Sequence, residues 1–409
     1  MSLKNISIAI IIFLYILLFE LSPFFELAGL NYLIVVKNML IIAICSILFI
    51  LNNERKVELP WYAISFSAIL LFLIIIEFVF CIASDILSPL LGLIEFLSVA
   101  IYADRRFIRY FYRCIILVTL VSSIPLLYYY YIFGYYARTD IVFDKSMQTF
   151  LFGFSLISLL SEFFYTHSKH KGIIIIIALY LFVCNVYILQ SKTSIFVTLV
   201  VLFMIFIFRK DNLINILSKY SKQILLVLFI LPFLPINWEI PQTLQQAANK
   251  LTGRTVFILE KQIREDTYEI RDRILNRTLE VLSDNPLWGA GFGNQEKVLN
   301  ITGTGVAQGE SQIMDLVLDG GITYLVAFLI LIIPMACFSI NSLNGKQSRY
   351  ADEFVLFQTT GFFILCIGNE MLSSIGWFFL GSLVYLRKDR FIFLLFSNPR
   401  QKILKLVKR

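Results

Sequence analysis

Apolar residues fill this chain in windows of about twenty, separated by short polar breaks, which is the length an α-helix needs to cross a bilayer. Twelve such windows can be read, at 6–22, 30–51, 60–83, 86–102, 107–133, 146–166, 172–190, 193–208, 223–238, 311–338, 353–369 and 371–386. Between the ninth and the tenth the pattern changes, and 239–310 forms the one long polar segment. The pattern predicts an all-α polytopic membrane protein with about twelve transmembrane helices and one large external helical loop between spans 9 and 10. Four parts follow: transmembrane helices 1–9 over 1–238, the loop over 239–310, transmembrane helices 10–12 over 311–386, and a basic amphipathic tail over 387–409.

Inside the loop, 255–284 reads as one amphipathic helix or two. Ile263, Ile270, Ile274 and Val281 share a face with Arg277 among them. Asn285-Pro286 stops that helix, and Gly289, Gly291 and Gly293 predict a flexible turn. Trp288 and Phe292 in the turn are expected to dip into the membrane interface. At the other end of the chain Lys4 precedes an apolar run without a small-residue cleavage site, so the first span is expected to be retained.

Composition agrees with the pattern. Hydrophobic residues make up 58% of the 409 positions and charged ones 15%, where a soluble domain carries about a quarter charged. The net charge of +7 sits in short loops, not in a nucleic-acid-binding patch, so no nucleic-acid partner is expected. Basic breaks (NNERK at 52–56, DRRFIRYFYR at 104–113, HSKHK at 167–171, NGKQSR at 344–349) alternate with breaks poor in Lys and Arg. By the positive-inside rule this places both termini in the cytoplasm and 239–310 outside. The tail, with FIFLLF followed by RQKILKLVKR, is expected to lie on the anionic inner leaflet. All six cysteines fall in predicted spans and read as buried thiols, so no disulfide framework is expected. His167 and His170 share a basic loop, and no zinc, Walker or Asp-rich motif is present, so no metal site is assigned.

The candidate chemistry gathers around the loop. Arg264, Arg271, Arg273 and Arg277 form its densest arginine group, and a planar guanidinium suits bidentate phosphate binding. A solvated helix face with Glu269, Asp272 and Glu280 as partners is the plainer alternative. Lys192 lies in the external break YILQSKTSIF, either offering a cation to an anionic headgroup or snorkelling to the interface. Glu310 opens the tenth span, as a helix-capping group or as a general base. Asp315 and Asp319 share a face of that span which must be polar or paired, and Gly320-Gly321 admits a close backbone neighbour. Glu77, Glu95 and Glu162 lie within other spans and are the strongest argument for an ion-coupled transporter, although Glu162 reads equally as interfacial.

Together, EIRDRILNRTLEVLSD, NPLWGAGFGN and GESQIMDLVLDGGI resemble the signature of the O-antigen polymerase and O-antigen ligase superfamily. Arg271 takes the family's helix-opening arginine, and Pro286, Gly289, Gly291 and Phe292 its proline-glycine turn. Asp319, Gly321 and Ile322 match the end of the last motif, and Ser191-Lys192 an earlier one with lysine for arginine. Counting back from Gly321, the family's histidine falls on Glu310 and its asparagine on Ser311. Ligases characteristically carry that histidine and polymerases vary there, so the departure favours polymerase.

The resemblance implies a lipid-linked glycosyltransferase of the bacterial inner membrane, with its active site facing the periplasm. Its donor and acceptor would be glycans on undecaprenyl pyrophosphate, with membrane lipids and a chain-length regulator as further partners. In that reading Glu310 and Arg271 are catalytic, while Lys192, Arg254, Arg264, Arg273, Arg277 and Trp288 bind pyrophosphate and glycan. No cofactor or metal is expected, because pyrophosphate is already a good leaving group. An O-antigen ligase passing glycan to lipid A-core, a polysaccharide flippase and a non-catalytic scaffold are the alternatives.

Overall fold

The structure, a computed structural model, describes residues 3–20, 32–52, 58–133, 145–165, 171–189, 193–205, 274–300, 311–343, 350–368 and 374–389. Among these every regular element is helical. In chain order they are α1 (Leu3–Glu20), α2 (Tyr32–Asn52), α3 (Trp61–Val79), α4 (Leu87–Tyr102), α5 (Arg105–Phe133) and α6 (Lys145–Tyr165). Then come α7 (Lys171–Cys184), continued by a π-turn at Asn185–Leu189, and α8 (Thr193–Ile205). After them follow α9 (274–284), α10 (Gln295–Asn300), α11 (Gln312–Leu343), α12 (Tyr350–Gly368) and α13 (Ser374–Asp389). Sequences such as WYAISFSAILLFLIIIEFV in α3 are rich in β-branched residues that favour strands in water. In hydrocarbon each peptide group must find its partner inside its own segment, and the helix does that.

Three described helices are long and apolar enough to cross a membrane: Trp61–Val79, Arg105–Tyr128 and Gln312–Ile340. Helices overlap eleven of the twelve predicted windows, and the window 223–238 lies outside the described residues. Large apolar side chains point outward as well as inward. Ile42, Ile75, Phe78, Leu117, Phe203 and Ile333 are all more than half-exposed or close to it, as lipid-facing positions are.

The described chain forms two compact units, one of Met1–Leu71, Leu87–Tyr220 and Ala327–Arg409, the other of Phe72–Ile86 and Ser221–Val326. The first unit has an aromatic centre. The Phe379 ring stacks on Phe362 at 5.5 Å and lies 4.0 Å from that of Phe154 and 5.6 Å from that of Phe150. Hydroxyl and amide pairs link its helices: Thr119 with Ser155 at 2.8 Å, Tyr112 with Ser382 at 3.1 Å, and Gln358 donating to Ser158 at 2.8 Å. Such bonds satisfy groups that hydrocarbon cannot. Arg387 at the end of α13 donates to Asp352 at the start of α12, at 3.1 Å.

Several expectations change. Cys81 lies just past the end of α3 and is exposed, as is Cys337, whereas Cys45, Cys114, Cys184 and Cys366 are buried. Cys81 leaves the helix because its backbone turns to φ +54°. Glu162, near the end of α6, is fully buried, with Arg109 as an electrostatic neighbour. The span expected at 311–338 is not one smooth helix: Gly320 and Gly321 leave helical geometry, with Gly321 at φ +62° and ψ −157°.

Candidate functional site

The second unit is built from the last turns of α3, the loop 80–86, α9, the glycine turn 285–294, α10 and the start of α11. Ile274 and Val281 of α9 are buried together with Leu299 of α10 and Leu318 of α11, and Ala290, Val298 and Met314 pack against them. The predicted apolar face of the loop helix is therefore present over 274–284. Its earlier part lies outside the described residues.

Asn285-Pro286 ends α9 as expected, but the glycine turn is a bonded clasp and not a flexible link. Its core is a substitution of hydrogen bonds. In an unbroken helix the Ile322 N–H would donate to the Leu318 carbonyl, four residues back. Here Ile322 N–H donates to the Pro286 carbonyl at 2.9 Å, and the Leu318 carbonyl accepts from Ala290 N–H at 2.6 Å. The turn takes up this donor and this acceptor, so the break leaves neither of the two orphaned. Gly289 and Gly321 permit the approach. A Cβ at Gly289 would lie 2.5 Å from the Leu318 oxygen, and one at Gly321 would lie 2.6 Å from the Leu287 carbonyl carbon.

The far side of the turn meets the end of α3 and the loop after it. Phe292 N–H donates to Glu77 Oε2 at 2.7 Å, and its carbonyl accepts from Ser84 N–H at 2.9 Å and Asp85 N–H at 3.1 Å. Asn294 Nδ2 donates to the Ile82 carbonyl at 2.7 Å. The Phe292 ring is buried and packs edge-on to Tyr324 at 5.5 Å. Phe292 therefore does not dip into the interface as expected; its backbone bonds to Glu77, Ser84 and Asp85 hold it inward. Trp288 is half-buried, its ring 6.3 Å from that of Phe72.

Of the predicted site residues, Arg277 and Trp288 are described. Lys192, Arg254, Arg264, Arg271, Arg273 and Glu310 lie outside the described residues. Arg277 Nη1 donates to Glu280 Oε2 at 2.5 Å, a pair made one turn along α9. Its buried Nε has no hydrogen-bond partner among the described residues. Directly after Glu310, Ser311 Oγ accepts from Met314 N–H at 3.2 Å. Ser311 is thus the N-cap of α11.

In the first unit, the π-turn at Asn185–Leu189 precedes the break that holds Lys192. Asn185 is fully buried and donates to Ser194 Oγ across that break at 2.9 Å. Sequence reading missed Asn185, although a lone amide in an apolar span beside a polar break was visible. It noticed Glu77 but not its partner, which lies 215 residues away in the chain.

A helical membrane chain in which a glycine turn clasps a broken helix defines the broad class. Residues 177–329 match the family model described as O-Antigen ligase, which is consistent with the O-antigen polymerase/O-antigen ligase superfamily. The match covers the Lys192 break, the arginine-rich loop, the glycine turn and the break in α11. Proteins of this superfamily are enzymes acting on lipid-linked glycans. A comparison with curated proteins finds no match.

Proposed function

We propose that the protein is a surface-polysaccharide polymerase that joins oligosaccharide repeat units carried on undecaprenyl pyrophosphate at the periplasmic face of the bacterial inner membrane. The bond between the donor's anomeric carbon and the pyrophosphate oxygen breaks as a new one forms to a hydroxyl of the acceptor's nonreducing-end sugar. Glu310 takes the hydroxyl proton, and undecaprenyl pyrophosphate leaves with the bonding electrons. Arg271, with Lys192, Arg254, Arg264, Arg273 and Arg277, neutralises the charge that develops on the leaving group. Trp288 packs on sugar or isoprenoid.

The observation that supports polymerase over ligase is Glu310, an acid at the position where ligases of the superfamily carry histidine. Arg277, whose side chain stays 31% exposed beside Glu280, is the described arginine that supports the anion-binding role of α9. The ligase reading has its own support in the description of the matching family.

The test is a gel of surface glycan from cells lacking the gene and then carrying the native chain, Glu310→Gln, Arg271→Ala or Arg277→Ala. A polymerase leaves lipid A-core bearing a single repeat unit in the deletion strain. The variants, inserted at native levels, then lose most of the polymer, with Arg277→Ala lowering it about tenfold or more. Long polymer held on undecaprenyl would make the protein a ligase. Loss of every repeat, single ones included, would make it a flippase.

A further inference from the structure

We propose that Glu77 is a positioning residue: its carboxyl oxygen is the acceptor that anchors the glycine turn 285–294 and, through it, holds α9 and the broken start of α11 in register. The proposal rests on the polymerase reading for its functional consequence but not for its structural one.

Four observations carry it. Glu77 is 0% exposed and stands in the last turn of α3. Burying a carboxyl group in an apolar span is costly unless it is hydrogen-bonded, so its partner is informative. That partner is the backbone N–H of Phe292, at 2.7 Å. Phe292 sits between Gly291 at φ +89° and Gly293 at φ +77°. Successive backbone N–H groups in such left-handed turns form a concavity suited to a negative group.

Glu77 also organises the loop beside it. Its carbonyl accepts from Ile82 N–H at 3.0 Å, and Ile82 in turn accepts from Asn294. A Cβ at Gly291 would lie 2.6 Å from Ile82 Cγ2 and 3.3 Å from Glu77 Oε2, so the turn closes on this pair without room for a side chain. On the other side of the turn, Ala290 and Pro286 hold the broken ends of α11. Glu77 thus anchors one edge of a clasp whose other edge sets the course of α11. The remaining oxygen, Oε1, has no partner among the described residues, and Asp319 is its acidic neighbour.

This assignment competes with the ion-coupled role that a buried acid suggests, and one substitution separates them. Glutamine keeps the acceptor oxygen for Phe292 N–H, but it cannot ionise. Leucine keeps the bulk and removes the acceptor.

Full-length protein is purified in micelles with Glu77→Gln or Glu77→Leu, and amide hydrogen exchange is read over 289–294. Surface glycan is read from cells matched for inserted protein. Glu77→Leu is expected to speed exchange at Phe292 about ten- to a hundredfold and to lower polymer about tenfold or more. Glu77→Gln is expected to stay within about threefold of native in both. Native exchange in Glu77→Leu would overturn the anchor. Glu77→Gln with native exchange but no polymer would also overturn it, in favour of an ionising role. Should Glu77→Leu fail to insert, Glu77→Met, closer in length and equally without the oxygen, takes its place, and native exchange in it overturns the anchor in the same way. If deleting the gene leaves polymer intact, the polymerase reading fails while the exchange result still judges the anchor.

Discussion

At Gly289 the backbone takes φ +63°, and the space a Cβ would fill is held by the Leu318 and Val317 carbonyl oxygens at 2.5 and 2.6 Å. Gly289→Ala therefore meets both a left-handed backbone and a collision with main chain that no rotamer relieves. A loss of about 2 kcal/mol or more is expected, read as a lower unfolding midpoint of the purified protein. Gly172→Ala supplies the control, because nothing lies within 4 Å of its Cβ position in helix α7. There alanine should be neutral or stabilising by up to about 1 kcal/mol. An equal drop for both variants would remove the steric account of the turn. The residues of this turn were legible in sequence, because Gly at alternate positions after Asn-Pro marks left-handed turns. Their bonds were not. Whether a glycine turn swings freely or is clasped depends on what meets it, and here the partners are Leu318 and Glu77, supplied by distant segments. The same limit applied to Arg277. Its position on the loop helix was readable, and so was Glu280 as a possible partner, but which arginine of the group takes Glu280 was not; in α9 Arg277 does, from three residues before it.

The elements followed hydrophobic length closely, since a run of about twenty apolar residues leaves a chain in lipid no alternative to a helix. Helix α11 shows where that logic stops. Mean hydropathy runs on through Gly320-Gly321, so nothing in the apolar pattern marks the break. Only the pair of glycines hinted at it, and they were read as a packing site for another backbone. That reading found the right feature: Pro286 and Leu287 are the backbone that packs there, and they do so by taking the bonds of the helix itself. The start of α11 rests on Ser311, whose Oγ accepts from Met314 N–H. Ser311→Ala is expected to cost about 1 kcal/mol and to speed exchange at Met314 about fivefold, while Ser311→Asp preserves both. Exchange in the first turn that is indifferent to all three residues would mean that the serine does not cap this helix. Because Glu310 immediately precedes the cap, the same experiment asks whether fraying this turn lowers polymer without touching the proposed base.

At the scale of the whole molecule, hydrophobicity and charge answer different questions. Apolar side chains on the outer faces of helices, such as Ile75 and Phe78 of α3 and Leu117 of α5, say that these helices meet lipid. They do not say which end of each helix faces the cytoplasm. That information sits in the short basic breaks, among them 52–56, 104–113, 167–171 and 344–349. Lys and Arg hold such breaks on the cytoplasmic side, whereas a long loop crosses largely regardless of its charge. The prediction is therefore asymmetric. A reporter enzyme active only in the periplasm should work when fused within 239–310 and fail at 344–349 or after Arg409. A cytoplasm-only fluorescent reporter should show the reverse. Replacing the basic residues of 344–349 with neutral ones should weaken the local preference and leave 239–310 outside, because the remaining basic breaks still bias the chain. An active periplasmic reporter at 344–349 in the native sequence would invert the orientation. The arginines of 254–277 and Glu310 would then face the cytoplasm, away from periplasmic lipid-linked glycan, and the polymerase reading would fall with the topology.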